Sequence, residues 1–155
     1  MILQDNNDPR DEYFMKLALQ EAEIALSEDE VPVGAVIVCN GKIIGKGHNQ
    51  TEALNDVTAH AEMIALTAAS TQLGGKYLPQ CTMYVTVEPC IMCAGGLGWS
   101  QIGRIVYGAS DNKRGFTGYC NCGKSPLHPR TIITNGVLKE ECADLMKKFF
   151  RKKRM

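Results

Sequence analysis

The sequence predicts an α/β domain built on a mixed sheet, and three observations carry that reading. Residues 33–39 and 42–47 are strand-like runs flanking Asn40-Gly41, the dipeptide that most strongly favours a two-residue hairpin turn, so the sheet begins with an antiparallel pair. Runs 81–87 and 104–108 are separated by a helical stretch, the strand–helix–strand order that favours parallel pairing with a right-handed crossover. Around these runs, apolar residues recur at helical spacing.

Taken in order, Asp8-Pro9 reads as a helix start, with Asp8 as N-cap and Pro9 at the first helical position, where its missing N–H costs nothing. Phe14, Leu17, Ala18, Ala22 and Ala25 then follow one helical face to about Ser27, with acidic residues on the other. After the hairpin and a polar loop over 49–56, a helix rich in Ala, Met, Ile and Leu is expected from about Thr58 through Ala69, ended by Leu73-Gly74-Gly75. The β-branched alternation of 81–87 is a third strand. Pro89 holds Glu88 extended and opens a helix expected from Cys90 to about Trp99. The fourth strand is 104–108, and residues 109–130, rich in Gly, Asn, Ser and Pro, read as a long loop of the kind that usually serves function. Residues 131–134 form a short fifth strand, and a terminal helix runs from Leu138 to about Arg151.

With 155 residues, 45% of them hydrophobic, the chain is expected to be one domain over 1–155, ending in a basic helix and tail over 139–155. Formal net charge is zero, which excludes a uniformly basic nucleic-acid binder, yet the charge is unevenly placed. Residues 1–30 hold nine acidic and two basic side chains, whereas the last nine hold six basic ones and no acid. On pattern alone that tail is either a solvated charge run or an interaction segment. The seven cysteines are odd in number, no apolar run is long enough to span a bilayer, and the start from Asp5 to Glu12 is acidic where a secretory leader would be basic. The expectation is a cytoplasmic, reduced protein with no membrane association, in which Cys39 and Cys81 are small core residues.

Chemistry concentrates in Thr58-Ala59-His60-Ala61-Glu62 and in Glu88-Pro89-Cys90-Ile91-Met92-Cys93. Together they supply one imidazole, two thiols and two carboxylates, of which Glu62 belongs to the His-x-Glu motif. Structural zinc is normally closed by four protein ligands, whereas a catalytic ion keeps one position for water, so His60, Cys90 and Cys93 with Glu62 left over have the composition of a catalytic zinc site. Residues two apart on a helix do not share a face, so His60 and Glu62 can address one ion only from a first turn. Cys90 and Cys93, three apart, share a face, and a first turn after Pro89 puts their sulfurs where the helix dipole favours thiolate. Zinc so held lowers the pKa of water from 15.7 to about 7, and Glu62 is placed to act as general acid and base. Alone, His60 would be an ordinary core histidine and Cys90-x-x-Cys93 a redox pair or half a zinc ribbon; no second Cys-x-x-Cys exists, and Cys120-x-Cys122 has the wrong spacing for one, so it reads as loop, with incidental metal binding or oxidation as the alternative.

His-x-Glu followed by Pro-Cys-x-x-Cys resembles the zinc-dependent cytidine and adenosine deaminases. Within that superfamily the chain looks like the bacterial tRNA-specific adenosine deaminases, through Glu30-Val31-Pro32-Val33-Gly34-Ala35-Val36, Gly47-His48-Asn49, the two central motifs, Ile102-Gly103-Arg104-Ile105-Val106-Tyr107-Gly108-Ala109 and Phe149-Phe150-Arg151. The resemblance implies a cytidine-deaminase-like three-layer α/β/α fold with a mixed five-stranded sheet, a Zn2+ cofactor, a homodimer, and hydrolytic conversion of the wobble adenosine of a tRNA anticodon to inosine with release of ammonia. It further implies that Asn49 hydrogen-bonds the base, that the backbone at Ala61 and Glu88 lines the pocket, that Val33 packs on the base plane, and that Asp111 touches the sugar-phosphate. Phe149, Phe150, Arg151 and Lys152 then become RNA contacts, since aromatic faces stack on unpaired bases and cations hold phosphates. Gly98-Trp99-Ser100 is similar instead to guanine deaminases, which keeps deamination of a free base or nucleoside, guanine or cytosine, as the alternative. A zinc-stabilised RNA-binding module without catalysis is the third reading, and it has no need of Glu62.

Overall fold

The structure, a computed structural model, describes residues 2–3, 8–120 and 123–154. In chain order the elements are β1 (Ile2–Leu3), α1 (Pro9–Ser27), β2 (Gly34–Cys39), β3 (Lys42–His48), α2 (Ala61–Leu73), β4 (Cys81–Val87), α3 (Ile91–Ser100), β5 (Arg104–Ala109), a 3-10 turn (Phe116–Tyr119), β6 (Ile132–Asn135) and α4 (Lys139–Lys153). The strands form one sheet in the order β1-β6-β5-β4-β2-β3. β1, β6, β5 and β4 pair in parallel, and β2 runs antiparallel to both β4 and β3. The sheet is therefore mixed as expected, with six strands in place of five. The added strand, β1, spans two residues, too short for any alternation to show, and is held by the Ile2 N–H donating to the Thr131 carbonyl at 2.7 Å.

Alternation along the strands builds two cores, one on each face. Ala35 and Ile37 of β2, with Met83, Val85, Ile105 and Tyr107, pack under Ala61, Ala65 and Ala69 of α2 and Ala94 and Leu97 of α3. Val36 and Val38, with Tyr84 and Val106, face Phe14, Met15 and Ala18 of α1 and Cys142 of α4. Both faces of β2 are buried, which is why its sequence is an unbroken apolar run. At the hairpin, Asn40 and Gly41 both take positive φ, 52° and 77°, the geometry a two-residue turn of that kind needs. Cys81 is buried in the first core and Cys39 packs against it, in register across β2 and β4.

The starts of α2 and α3 both fall later than the sequence expectation. α2 begins at Ala61 instead of Thr58, because Asp56 Oδ1 accepts both the Thr58 N–H (2.8 Å) and the Thr58 hydroxyl (2.7 Å), a turn that takes this stretch away from the helix. His60, extended at φ −75° and ψ 153°, is the N-cap. α3 likewise begins at Ile91 with Cys90 as its N-cap. Each candidate ligand motif thus straddles a helix entry. Within the 109–130 loop, Phe116–Tyr119 form the 3-10 turn, whose Phe116 is fully buried and donates its N–H to the Pro89 carbonyl at 2.9 Å. Cys122 lies outside the described residues.

Candidate active site

The site forms where β2 begins, β3, β4 and β5 end, and α2 and α3 start, the edge of an α/β sheet at which ligands characteristically bind. His60 precedes α2, Cys90 precedes α3, and Cys93 lies in the first turn of α3. Their donor atoms all fall within 4.8 Å of one another. His60 presents Nδ1 to both sulfurs, 3.7 Å from Cys90 Sγ and 3.5 Å from Cys93 Sγ. One imidazole nitrogen and two thiols converging from two helix entries match the donor chemistry of zinc. Gly47 permits this approach: any side chain there would overlap the Ala61 carbonyl, so β3 carries glycine and the first turn of α2 packs directly onto it.

Without an ion the three donors share protons unequally. The Cys93 thiol donates to Cys90, and together with hydrogen bonding from His60 this pulls the Cys90 thiol down to about 4 despite its burial. Cys93 moves the opposite way, raised by the bond it donates to Cys90 and by burial. His60 is raised, chiefly by its hydrogen bond to Cys90. Zinc coordination needs both sulfurs deprotonated, so binding releases a proton from Cys93.

Glu62 sits in the first turn of α2, 4% exposed, outside the His60, Cys90 and Cys93 donor cluster. Burial raises its carboxyl to about 7, against a lowering by its own backbone N–H. It lines a cavity of about 360 Å³ together with His60 and Cys90. Asn49, Val33, Ala61, Glu88 and Asp111 line the same cavity, so every residue expected from sequence to touch the base or its sugar-phosphate is brought there. Asn49 is 7% exposed and fixed by its N–H donating to the Val33 carbonyl at 3.1 Å.

Two of the cavity's acids are committed to structure. Glu88, 5% exposed, accepts the Asp111 N–H (3.1 Å), the Thr117 N–H (3.0 Å) and the Thr117 hydroxyl (2.7 Å), and so pins the 111–117 segment against the β4–α3 turn. Asp111 Oδ1 accepts the N–H groups of Lys113 and Arg114, each at 3.0 Å. Glu62, the third lining acid, is hydrogen-bonded with the Cys93 thiol and so stands beside the donor cluster instead of holding a loop.

The terminal helix divides the predicted RNA contacts. Phe150 is 43% exposed and lines the cavity; Phe149 is buried and packs edge-on to it, ring centroids 5.3 Å apart. Arg151 and Lys152 are exposed in the last turn of α4. Trp99 is 85% exposed and lies outside this cavity, beside Pro126 and Leu127. Sequence reasoning missed Arg114 and Met146, which also line the cavity. Nothing in their spacing flags them, because the fold delivers one from the long loop and the other from α4.

With this geometry in view, the chain's kinships are informative. The profile described as "Cytidine and deoxycytidylate deaminase zinc-binding region" matches residues 8–109. The tRNA-specific adenosine deaminase of Aquifex aeolicus (strain VF5) is 44% identical over 144 residues, 92% of this chain and 95% of that protein. A solved structure from a study of A-to-I editing by tRNA:A34 deaminases at the wobble position of transfer RNA aligns with a TM-score of 0.81 at 41% identity, covering 86% of this chain and 98% of that one. The guanine deaminase of Bacillus subtilis aligns with a TM-score of 0.61 at 35% identity, covering 74% and 71%. The profile match spans both ligand motifs and the strands and helices that position them, and on that ground the chain belongs to the cytidine and deoxycytidylate deaminase zinc-binding family.

Proposed function

We propose that this protein is a zinc-dependent hydrolase that converts the wobble adenosine of a tRNA anticodon to inosine. The observation that carries the reading is the cavity itself: one chamber joins His60 and Cys90, the buried carboxylate of Glu62, the buried Asn49 and the exposed ring of Phe150. The relatives named as tRNA-specific adenosine deaminases, alike over 92% of the chain, favour adenosine in RNA as the substrate.

His60, Cys90 and Cys93 would hold the ion, which when bound supplies Lewis-acid activation of a water near neutral pH. Hydrolytic deamination forms a C6–O bond, breaks the C6–N bond to the exocyclic amine, and moves one proton of the water to the departing nitrogen and the other to ring N1, giving inosine and ammonia. Glu62 is the group to carry those protons, as base and then as acid. Asn49 hydrogen-bonds the base edge, Val33 packs on its plane, and the backbone at Ala61 and Glu88 closes the pocket around it. Asp111 approaches the sugar-phosphate. Phe150 stacks on an unpaired base with Phe149 backing it, and Arg151 and Lys152 hold phosphates.

The reading extends to one domain over 1–155, a homodimer and a cytoplasmic setting. Ile91 and Trp99, 42% and 85% exposed, stand eight residues apart on α3 with Gly95 between them, an apolar stripe suited to a second copy. Two thiol ligands need a compartment that keeps cysteines reduced. Among the described residues no helix is long and apolar enough to cross a membrane.

Guanine deamination is the second reading, supported by the 35% identity to the Bacillus subtilis guanine deaminase. One assay separates them: the recombinant protein should deaminate the wobble adenosine of an anticodon stem-loop and leave free guanine and cytosine untouched. Turnover of a free base with an inert stem-loop would overturn the tRNA reading, and zinc binding with no turnover of any of them would favour the non-catalytic module.

A further inference from the structure

The turn that follows Asn49 hangs from a carboxylate more than twenty residues earlier in the chain. Glu30, in the connection between α1 and β2, is 1% exposed, although a glutamate is almost never so buried without a cation. Its partners are instead three neutral donors in one turn. Oε1 accepts the Thr51 hydroxyl at 3.4 Å and the Glu52 N–H at 3.0 Å, and Oε2 accepts the Ala53 N–H at 2.7 Å. That turn closes back on Asn49, whose Oδ1 accepts the Thr51 N–H at 3.4 Å. Thr51 also lines the cavity beside Asn49. A chain of bonds thus runs from the buried Glu30 side chain through 51–53 to the Asn49 carboxamide at the cavity wall.

We propose that Glu30 is a positioning residue for base recognition: its carboxylate fixes the 51–53 turn and thereby sets the orientation of the Asn49 side chain in the pocket. The inference rests on the reading of Asn49 as the base contact. Both carboxylate oxygens are needed. In Glu30→Gln one of them becomes an NH2 that meets a donor in either orientation: the Ala53 N–H at one position, the Glu52 N–H and Thr51 hydroxyl at the other. The turn must then shift, and Asn49 with it.

The test is a double-mutant cycle on an anticodon stem-loop with the zinc-loaded protein, using Glu30→Gln, Asn49→Ala and the pair. Glu30→Gln should raise KM about ten-fold and change kcat less than about three-fold, with zinc content and melting temperature close to wild type. Because Glu30 acts through Asn49, the double variant should match Asn49→Ala in kcat/KM within about two-fold. Glu30→Asp, which keeps both acceptor oxygens, should recover part of the KM loss, and it stands in for Glu30→Gln in the cycle if the latter does not fold. Losses that multiply in the cycle, a fall in kcat at constant KM, or wild-type kinetics in Glu30→Gln would each overturn the proposal. Wild-type protein is the control: no turnover of the stem-loop by it refutes the tRNA reading, whereas wild-type turnover with a multiplicative cycle refutes the role of Glu30 alone.

Discussion

Glu62→Gln exchanges one oxygen for nitrogen and leaves the size of the buried side chain unchanged, so its effect isolates proton transfer. Among the described residues that line the cavity, the other two carboxylates are already engaged. Glu88 already accepts three hydrogen bonds from Asp111 and Thr117, and Asp111 accepts those of Lys113 and Arg114. General acid–base catalysis contributes roughly 10²–10⁴-fold, and Glu62 is asked both to take the proton from water and to deliver it to the leaving nitrogen. The upper end applies, a loss of about 10⁴-fold in the chemical step, or about 5.5 kcal/mol on the barrier. Since Glu62 stands outside the donor cluster of His60, Cys90 and Cys93, one zinc per chain should remain. Single-turnover deamination of an anticodon stem-loop at saturating enzyme reads the chemical step apart from binding, and metal analysis of the same sample reads the zinc. A loss under about ten-fold, or a loss of zinc along with activity, would refute the assignment of Glu62 as a proton carrier that is not a ligand.

Other substitutions test the frame around that site. Asp11, 1% exposed, accepts Arg104 through both Nη1 (2.8 Å) and Nη2 (2.7 Å) and also the Tyr84 hydroxyl (2.9 Å), so Asp11→Ala leaves a part-buried guanidinium unpaired and should cost about 3–5 kcal/mol by chemical denaturation; a cost under about 1 kcal/mol would contradict this. Gly47→Val drives a side chain into the Ala61 carbonyl and should destabilise the fold by about 2 kcal/mol while weakening zinc retention against a chelator, because the displaced turn carries His60 and Glu62. In zinc-free protein the Glu62 carboxyl is raised from 4.5 to about 7, so the stability it contributes is fully present below pH 4.5 and is lost as pH rises through about 7. Urea titrations of chelated wild type and Glu62→Gln should therefore diverge, wild type losing about 3 kcal/mol relative to the variant between about pH 4 and about pH 8; parallel curves would refute the burial argument. Arg151→Ala with Lys152→Ala should lower stem-loop affinity and reduce the slope of log affinity against log salt by about 1.4, and an unchanged slope would show that α4 does not reach the phosphates.

How much of this was legible beforehand differs by element. α1 was readable to the residue because its signals are local: Asp8 accepts the Arg10 N–H at 2.9 Å, Pro9 opens the helix, and one face is apolar at helical spacing. The β2–β3 hairpin was readable because Asn40-Gly41 suits positive φ. α2 was misplaced by three residues at its start because a side chain, Asp56, competes for the backbone there, and the strength of that competition is not visible in propensity. β1 escaped notice because two residues carry no period, and its existence depends on β6 offering an edge.

The site divides along the same line. Two short motifs, His60-x-Glu62 and Pro89-Cys90-x-x-Cys93, carried the metal chemistry in the sequence itself, because donor type and spacing across a helix entry are local properties, and their resemblance to the zinc deaminases carried the reaction class. What only the tertiary structure decided is which side chains are free. It commits Glu88 and Asp111 to holding a loop, leaves Glu62 in the cavity, separates buried Phe149 from exposed Phe150, brings Arg114 and Met146 to the wall, and suspends the Asn49 turn from Glu30. Burial and the hydrogen bonds of Glu88 and Glu30, which span more than twenty residues, are set by how distant segments pack against the sheet edge, and no periodicity or motif in the chain encodes them one residue at a time.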